Sequence, residues 1–385
     1  MQGNFVSSYQ PLVDLFVEQG EGKPGGSSLC IYEAGQPVVD VWQGESTSGV
    51  QWHEDSVSVV FSCTKGLASI LAHHLVQEGK LDLDERVSYY WPEFAQAGKR
   101  DIPVRWLLQH KAGLSAVRRD LTIDEITDGK TIENELERQE PLWEPGTAHS
   151  YHALTFGTLV GRLVKNITGQ TLGQYFEQLI SRPLSVTAWI GLPQEEFANL
   201  APLISDGKRE PNAAGEGTKN YWLAKAMTFG KALDHQVDSY ETGFNNPKLL
   251  AAELPGAGGV TNARSLAKIY SATVVETDGV RLLEDEAAKA AAVPQSTGPL
   301  YFEGEEGPFP AWGNGFMVDV PGFKDMLGPS SFGHDGLGGQ CAFADLDHRL
   351  SFAFTTNYLE SGANEQSRQQ ALIRKLKKML AESAM

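Results

Sequence analysis

The sequence changes character twice along its length, and this division limits the folds open to it. Short runs rich in β-branched and aromatic residues lie near both ends: residues 27–33 and 37–43, joined by Ala34-Gly35-Gln36, and later 315–320, 331–334, 340–346 and 350–357. Their length, residue types and turn-forming flanks predict strands, the first two an antiparallel hairpin. From about 80 to 255 such runs are few, and helical periodicity dominates at 104–110, 132–139, 154–167 and 171–180. Tyr9, Leu12, Val13 and Phe16 open the chain with an amphipathic helix, and Leu372, Ile373, Leu376, Met379 and Leu380 close it with another. Strands from both ends bury their faces most simply in one sheet. We therefore expect an α+β fold with an antiparallel sheet flanked by the N- and C-terminal helices. Residues 1–79 and 256–385 would form this discontinuous sheet domain, and 80–255 a mainly helical insertion. The seam between them is the expected place for a cleft.

Composition narrows the partners. Of the 385 residues 41% are hydrophobic and 21% charged, as in an ordinary globular chain. A net charge of −17 disfavours nucleic-acid backbones and anionic membrane surfaces. No apolar run approaches the roughly 20 residues that span a bilayer. Arg374, Lys375, Lys377 and Lys378 read as a solvated helix face. Met1-Gln2-Gly3-Asn4-Phe5 has no basic or apolar leader character, so a reduced, cytoplasmic setting is expected. Cys30, Cys63 and Cys341 are odd in number and far apart, which suits neither a disulfide framework nor a zinc site. The expectation is a small-molecule partner, no cofactor, no metal, no nucleic acid and no membrane, with the oligomeric state left open.

One stretch carries chemistry. Residues 57–61 form a short β-like run that ends at Ser62, and Leu67, Ile70, Leu71, His74 and Leu75 then follow at helical spacing. Ser62 and Lys65 thus stand at i and i+3 in a first helical turn, within mutual reach. A serine hydroxyl attacks well only when a neighbour takes its proton, and a lysine with a lowered pKa can do that. The helix start also offers unpaired N–H groups to a developing oxyanion. Ser-x-x-Lys is a loose pattern and recurs at Ser205/Lys208 and Ser265/Lys268. The former lies in a polar loop and the latter in a helix beginning at Thr261 or Asn262, so only Ser62 has the strand-to-helix setting. Gly20 to Gly25 matches G-x-G-x-x-G, but it follows a helix and contains Pro24, so it is a loop and no dinucleotide site.

Two further segments supply possible partners. In Glu144-Pro145-Gly146-Thr147-Ala148-His149-Ser150-Tyr151-His152-Ala153, the Pro-Gly turn leaves Tyr151 just before the helix at Leu154. Its phenol could be held partly as phenolate beside an ammonium and shuttle protons, or could simply pack at the seam. His149 and His152 have no acidic or cysteine partner at metal-ligand spacing. Phe332-Gly333-His334-Asp335-Gly336-Leu337-Gly338-Gly339 allows the close backbone approach of a substrate-binding edge or of a tight hairpin. There is no G-x-S-x-G elbow.

Together Ser62-Cys63-Thr64-Lys65, Tyr151-His152-Ala153 and His334-Asp335-Gly336 resemble the three signatures of the serine β-lactamase and penicillin-binding-protein superfamily. Leu107 to Leu114 and Glu144 to Thr147 extend the resemblance over almost the whole chain, which is most similar to the class C-like, family VIII carboxylesterases. The resemblance implies that Ser62 attacks an ester carbonyl, with Lys65 and Tyr151 moving the protons. It also implies an oxyanion hole from the backbone N–H groups of Ser62 and Leu337, with water releasing the acid from the acyl-enzyme. His334 and Gly336 would contact substrate. Trp222, Phe309, Trp312 and Phe316 suit cleft or core equally, and of these Trp312 is taken as the substrate-binding wall.

Two departures separate the chain from lactam chemistry. His334 stands where β-lactamases usually carry a lysine, and Ala153 where they usually carry asparagine. An uncharged imidazole holds a carboxylate poorly, and alanine offers an amide nothing. The expected activity is hydrolysis of short- to medium-chain carboxylic esters. β-Lactamase, D,D-peptidase or acyltransferase activity at the same Ser-Lys-Tyr site is the alternative, and a catalytically silent binding protein on this fold is the reading from another class.

Overall fold

The computed structural model describes residues 1–206, 218–233, 236–302, 306–360 and 367–383, so Gly207 and Lys208 of the second Ser-x-x-Lys pair lie outside the described residues. In chain order the strands used below are β1 (Gln2–Phe5), β2 (Gly26–Glu33), β3 (Gln36–Thr47), β4 (Val50–Gln51), β5 (Ser58–Val59) and β6 (Ala188–Ile190). They continue with β7 (Gly259–Thr261), β8 (Met317–Val318), β9 (Ser331–Asp335), β10 (Cys341–Asp345) and β11 (Leu350–Thr356). The helices that matter are α1 (Gln10–Gly20), α2 (Cys63–Gln77), α3 (Thr155–Thr168), α4 (Ala263–Val274) and α5 (Arg368–Ser383).

The fold is α+β. Its main sheet has eight strands in the order β1-β3-β2-β11-β10-β9-β8, with β4 paired to β3. The two ends of the chain meet at the antiparallel β2–β11 pair, which runs from Ser27 opposite Thr356 to Glu33 opposite Leu350. Side chains alternate between faces along each strand. Leu29, Ile31, Phe343, Phe352 and Phe354 point to one side, where Leu12, Phe16, Leu372, Ile373 and Leu376 of α1 and α5 cover them. Cys30, Ala342, Ala344 and Ala353 point to the other, against Leu266, Ile269 and Tyr270 of α4. Small side chains on this second face let α4 lie close to β2, β10 and β11. Each buried Leu or Phe stabilises the fold by about 1.5–3 kcal/mol relative to exposure. An exposed ion pair such as Lys378–Glu382, at 3.8 Å, contributes about 0–1 kcal/mol. Packing, not charge, holds the terminal helices.

A second, three-stranded sheet, β5-β7-β6, lies outside the sequence expectation. Its strands of two or three residues are too short to show a period. Ser58 faces Thr261 and Val59 faces Val260, while Ala188 also pairs with Thr261. A strand from the helical block is thereby stitched to residues beyond 255. Elsewhere the run expected at 315–320 forms a strand only at Met317–Val318, because Val320 turns to bond with Lys324. The helix expected at 171–180 starts with a Thr171/Gln174 capping box, as its sequence suggests, and then widens into a π-turn at Glu177–Ser181.

Helix α3 packs on the backbone segment that leads into β7. A Cβ on Gly157 of α3 would lie 1.9 Å from the Gly256 nitrogen, so helix and segment touch backbone to backbone. Gly161, one turn on, would meet nothing closer than 3.6 Å. Gly157→Ala should therefore destabilise the protein by about 1–3 kcal/mol through forced displacement. Gly161→Ala should be neutral or stabilise by up to about 1 kcal/mol through helix propensity. Urea unfolding of the two variants checks the contrast, and equal midpoints would contradict it.

Candidate active site

Ser62 is set by a strained turn. The chain leaves β5, crosses Phe61 at φ +45°, and enters α2 with Ser62 at its N-cap. A non-glycine residue in the left-handed region costs on the order of 1–3 kcal/mol and persists only where its surroundings impose it. Here Thr64 imposes it: its Oγ1 donates to the Phe61 carbonyl at 2.5 Å and accepts from Gly259 N–H at 2.8 Å. The Ser62 hydroxyl makes no capping bond to its own helix.

That hydroxyl instead faces a buried amine. Lys65 Nζ lies 2.9 Å from Ser62 Oγ and donates to the Gly256 carbonyl at 2.6 Å. The lysine is fully buried, and burial holds its pKa well below the usual lysine value. The Tyr151 ring centroid lies 4.8 Å from Nζ, and the phenol hydrogen-bonds Ser62. Burial raises the phenol pKa, and the bond to Ser62 offsets this only in part. Burial thus disfavours both the ammonium form of Lys65 and the phenolate form of Tyr151, which runs against the ammonium–phenolate option offered by the sequence.

Tyr151 reaches this place because its loop is zipped to residues 110–114. Ser150 N–H donates to the His110 carbonyl at 3.2 Å and His152 N–H to His110 Nδ1 at 3.2 Å. Leu114 N–H donates to His152 Nε2 at 3.1 Å, and Thr155 Oγ1 to the Leu114 carbonyl at 2.7 Å. His152 Nδ1 donates in turn to the Ser150 carbonyl at 2.7 Å, which engages both ring nitrogens. Burial lowers its pKa to about 4, so it serves this zipper as a neutral ring. His149 lies apart, buried, with its carbonyl bonded to Tyr301 N–H.

The third motif docks against the nucleophile turn. A Cβ on Gly336 would stand 2.3 Å from the Val60 carbonyl, so glycine here permits backbone contact. Gly336 N–H is spent on Gln340 O at 2.8 Å, and Gln340 Nε2 reaches back to Val59 O at 3.3 Å. Among the described residues neither Ser62 N–H nor Leu337 N–H has a backbone acceptor, and both residues line one pocket. His334 is buried with its ring roughly parallel to Tyr151, centroids 6.2 Å apart. Burial, and then Lys65 and Lys324, keep its pKa well below that of free histidine, so it carries no charge at neutral pH.

The expectation that Trp312 forms a cleft wall is corrected. It is 2% exposed and stacks on Tyr151 at 5.7 Å and 15°, behind the phenol. Phe316 is core, edge-on to Phe332, and Phe309 packs against the other core, the one that holds Trp312 and the terminal helices. Trp222 packs near Arg118 and Lys225. The pocket beside Ser62 is lined instead by Ala153, Leu154, Met227, Leu233, Val237 and Phe244. Residues 227–244 mix turns with isolated apolar side chains, so no period marked them. A larger groove of about 420 Å³ beside Arg162 and Glu133 has no serine, cysteine or histidine in its lining, so size does not choose the site. Nor is the Ser265/Lys268 pair so arranged: Ser265 Oγ accepts from Thr187 N–H, while Lys268 pairs with Asp278.

With this geometry in place, the comparisons are specific. The Beta-lactamase family model matches residues 12–376, and the chain belongs to that family. It is a serine hydrolase of the β-lactamase fold. Esterase/beta-lactamase LipL of Mycobacterium tuberculosis is 32% identical over 365 residues, covering 88% of this chain and 78% of that protein. The structure of EstA from Arthrobacter nitroguajacolicus Rue61a superposes with a TM-score of 0.89 at 31% identity, covering 100% of both chains. A family VIII carboxylesterase structure gives 0.87 at 29% identity, covering 98% of this chain and 99% of that one.

Cys63, beside the nucleophile, is buried with its thiol pKa raised to about 12, and Cys30 and Cys341 are buried too. The native protein should release almost no chromophore from Ellman's reagent, and all 3 thiols should react in guanidinium. A fast-reacting thiol in the native state would contradict this burial.

Proposed function

We propose that the chain is a carboxylesterase that hydrolyses short- to medium-chain esters through an acyl-enzyme on Ser62. The observation that carries this reading is the buried Lys65 amine 2.9 Å from Ser62 Oγ, its pKa held well below the usual lysine value, beside the Tyr151 phenol, whose pKa is raised. Ser62 Oγ attacks the ester carbonyl carbon while Lys65 Nζ takes its proton. The oxyanion then meets the free N–H groups of Ser62 and Leu337. As the tetrahedral intermediate collapses, Tyr151 gives its proton to the departing alkoxide and regains one from the Lys65 ammonium. Water repeats the sequence on the acyl-enzyme, releasing the acid and restoring Ser62.

The pocket supports an ester with a modest acyl group. It measures about 90 Å³ and its walls are mainly apolar. Sites for drug-sized ligands run to roughly 300–1,000 Å³. His334 without charge and Ala153 without a polar atom leave a lactam's carboxylate and amide unmatched. The family VIII structure is by its name a carboxylesterase, while the name of LipL couples esterase with beta-lactamase.

Ser62→Ala should lower p-nitrophenyl butyrate hydrolysis by about 10³-fold or more. Intact-mass spectrometry after a brief ester pulse should find the acyl adduct on Ser62 of the wild type. Undiminished hydrolysis by the variant, or nitrocefin turnover equal to ester turnover, would overturn the reading.

The pH profile follows from the two proton positions. Lys65 must be neutral to act, so kcat/KM should fall as pH drops through its lowered pKa. Tyr151 must be protonated, and its raised pKa should keep the rate flat past about pH 10, where free tyrosine ionises. A rate still climbing toward the ordinary lysine value, about 10.4, would show that Lys65 is no neutral base.

A further inference from the structure

Tyr151 stands in a loop, and a tyrosine side chain has two soft torsions. Its oxygen is engaged by the Ser62 hydroxyl, an interaction that lowers the phenol's pKa and lasts only while Ser62 keeps its proton. Once Ser62 has attacked, the serine oxygen is bonded to the acyl carbon, at the moment when the phenol must turn to the leaving alkoxide. Contacts to the ring must then hold it.

Besides the His334 ring, stacked at 6.2 Å, those contacts belong to one frame. Trp312 stacks on the Tyr151 ring at 5.7 Å with planes 15° apart, and His110 meets it edge-on at 5.2 Å and 63°. Trp312 and His110 also touch each other, at 5.1 Å and 70°. Trp312 is held by a reciprocal backbone pair with Ser296, at 3.0 and 2.9 Å, and by Gln295 N–H on its carbonyl at 2.7 Å. Ser296 Oγ then donates to the carbonyl of Gln109, the neighbour of His110, at 2.7 Å. The indole N–H of Trp312 has no hydrogen-bond partner among the described residues although it is buried. Hydrogen bonding by the side chain therefore does not explain the tryptophan. Its plane against Tyr151 does.

We infer that Trp312 is a positioning residue, which with His110 fixes the Tyr151 phenol for proton delivery to the leaving alcohol. This rests on the reading of Tyr151 as that proton donor. Trp312 touches no reacting atom and should act only through the phenol.

Two esters with the same acyl group separate such a role from general damage. Ethyl butyrate loses a basic alkoxide and needs the proton, whereas p-nitrophenyl butyrate loses a stable anion and scarcely needs it. Trp312→Ala should cut kcat/KM for ethyl butyrate by about tenfold or more, and for p-nitrophenyl butyrate by less than about threefold. Trp312→Phe keeps a stacking ring and should restore most of the ethyl ester rate. Tyr151→Phe should show the same discrimination more strongly, and adding Trp312→Ala to it should change the ratio of the two esters no further. Circular dichroism and thermal melting establish that each variant is folded. If Trp312→Ala is not, Trp312→Leu, which fills space without a plane, takes its place.

An equal loss on both esters, a change confined to KM, or full additivity with Tyr151→Phe would overturn the inference while leaving Tyr151 as donor. If Tyr151→Phe itself shows no discrimination, the donor reading fails and the inference falls with it. The two failures are thus distinguishable.

Discussion

A lysine amine sealed inside the protein is the constraint from which the site follows. Lys65 is fully buried, and its recorded hydrogen bonds are to Ser62 Oγ and the Gly256 carbonyl, with no carboxylate paired to it among the described residues. An isolated ammonium there would lose its hydration without a counter-ion, so the group sheds its proton instead. A neighbouring carboxylate would favour the charged form and remove the basicity that Ser62 needs. The apolar packing around α2 therefore has a chemical consequence beyond stability: it supplies a base.

Keeping that amine dry and aimed demands close contacts from several parts of the chain. Gly256, which accepts from Lys65, is pressed on by Gly157 of α3, and Gly336 of the third motif lies against Val60 just before the nucleophile. Thr64 holds the left-handed Phe61 turn from one side while reaching β7 from the other. The loop of Tyr151 is locked to residues 110–114 by uncharged histidines. Where His110, His152 and His334 are neutral, the site gains donors and acceptors without adding positive charge that would compete with a developing oxyanion's own partners.

Much of this was legible in the residues alone. The division into strand-rich ends and a helical middle predicted the α+β sheet, since period-2 and period-3.6 patterns are local and survive without knowledge of the fold. Ser62 stood out by its strand-to-helix setting, whereas Tyr151 and His334-Asp335-Gly336 were marked as site residues by the resemblance to the β-lactamase superfamily. The β5-β7-β6 sheet was hidden because strands of two or three residues carry no period. Phe244, Leu233 and Val237 were hidden because a pocket lining is a property of space and not of spacing. Trp312 was found but misplaced: an aromatic side chain suits a cleft and a core equally, and only its stack behind Tyr151 separates the two.

By itself, then, the sequence determined which local elements form, which of three serine–lysine pairs begins a helix after a strand, and that position 334 cannot carry a permanent charge. The tertiary structure alone decided the direction in which the pKa values of Lys65 and Tyr151 move, the size of the pocket beside Ser62, and which rings pack on the phenol. The reason is physical. Propensity and periodicity act over a few residues, whereas burial, and with it every pKa in this site, depends on segments brought together from more than a hundred positions apart.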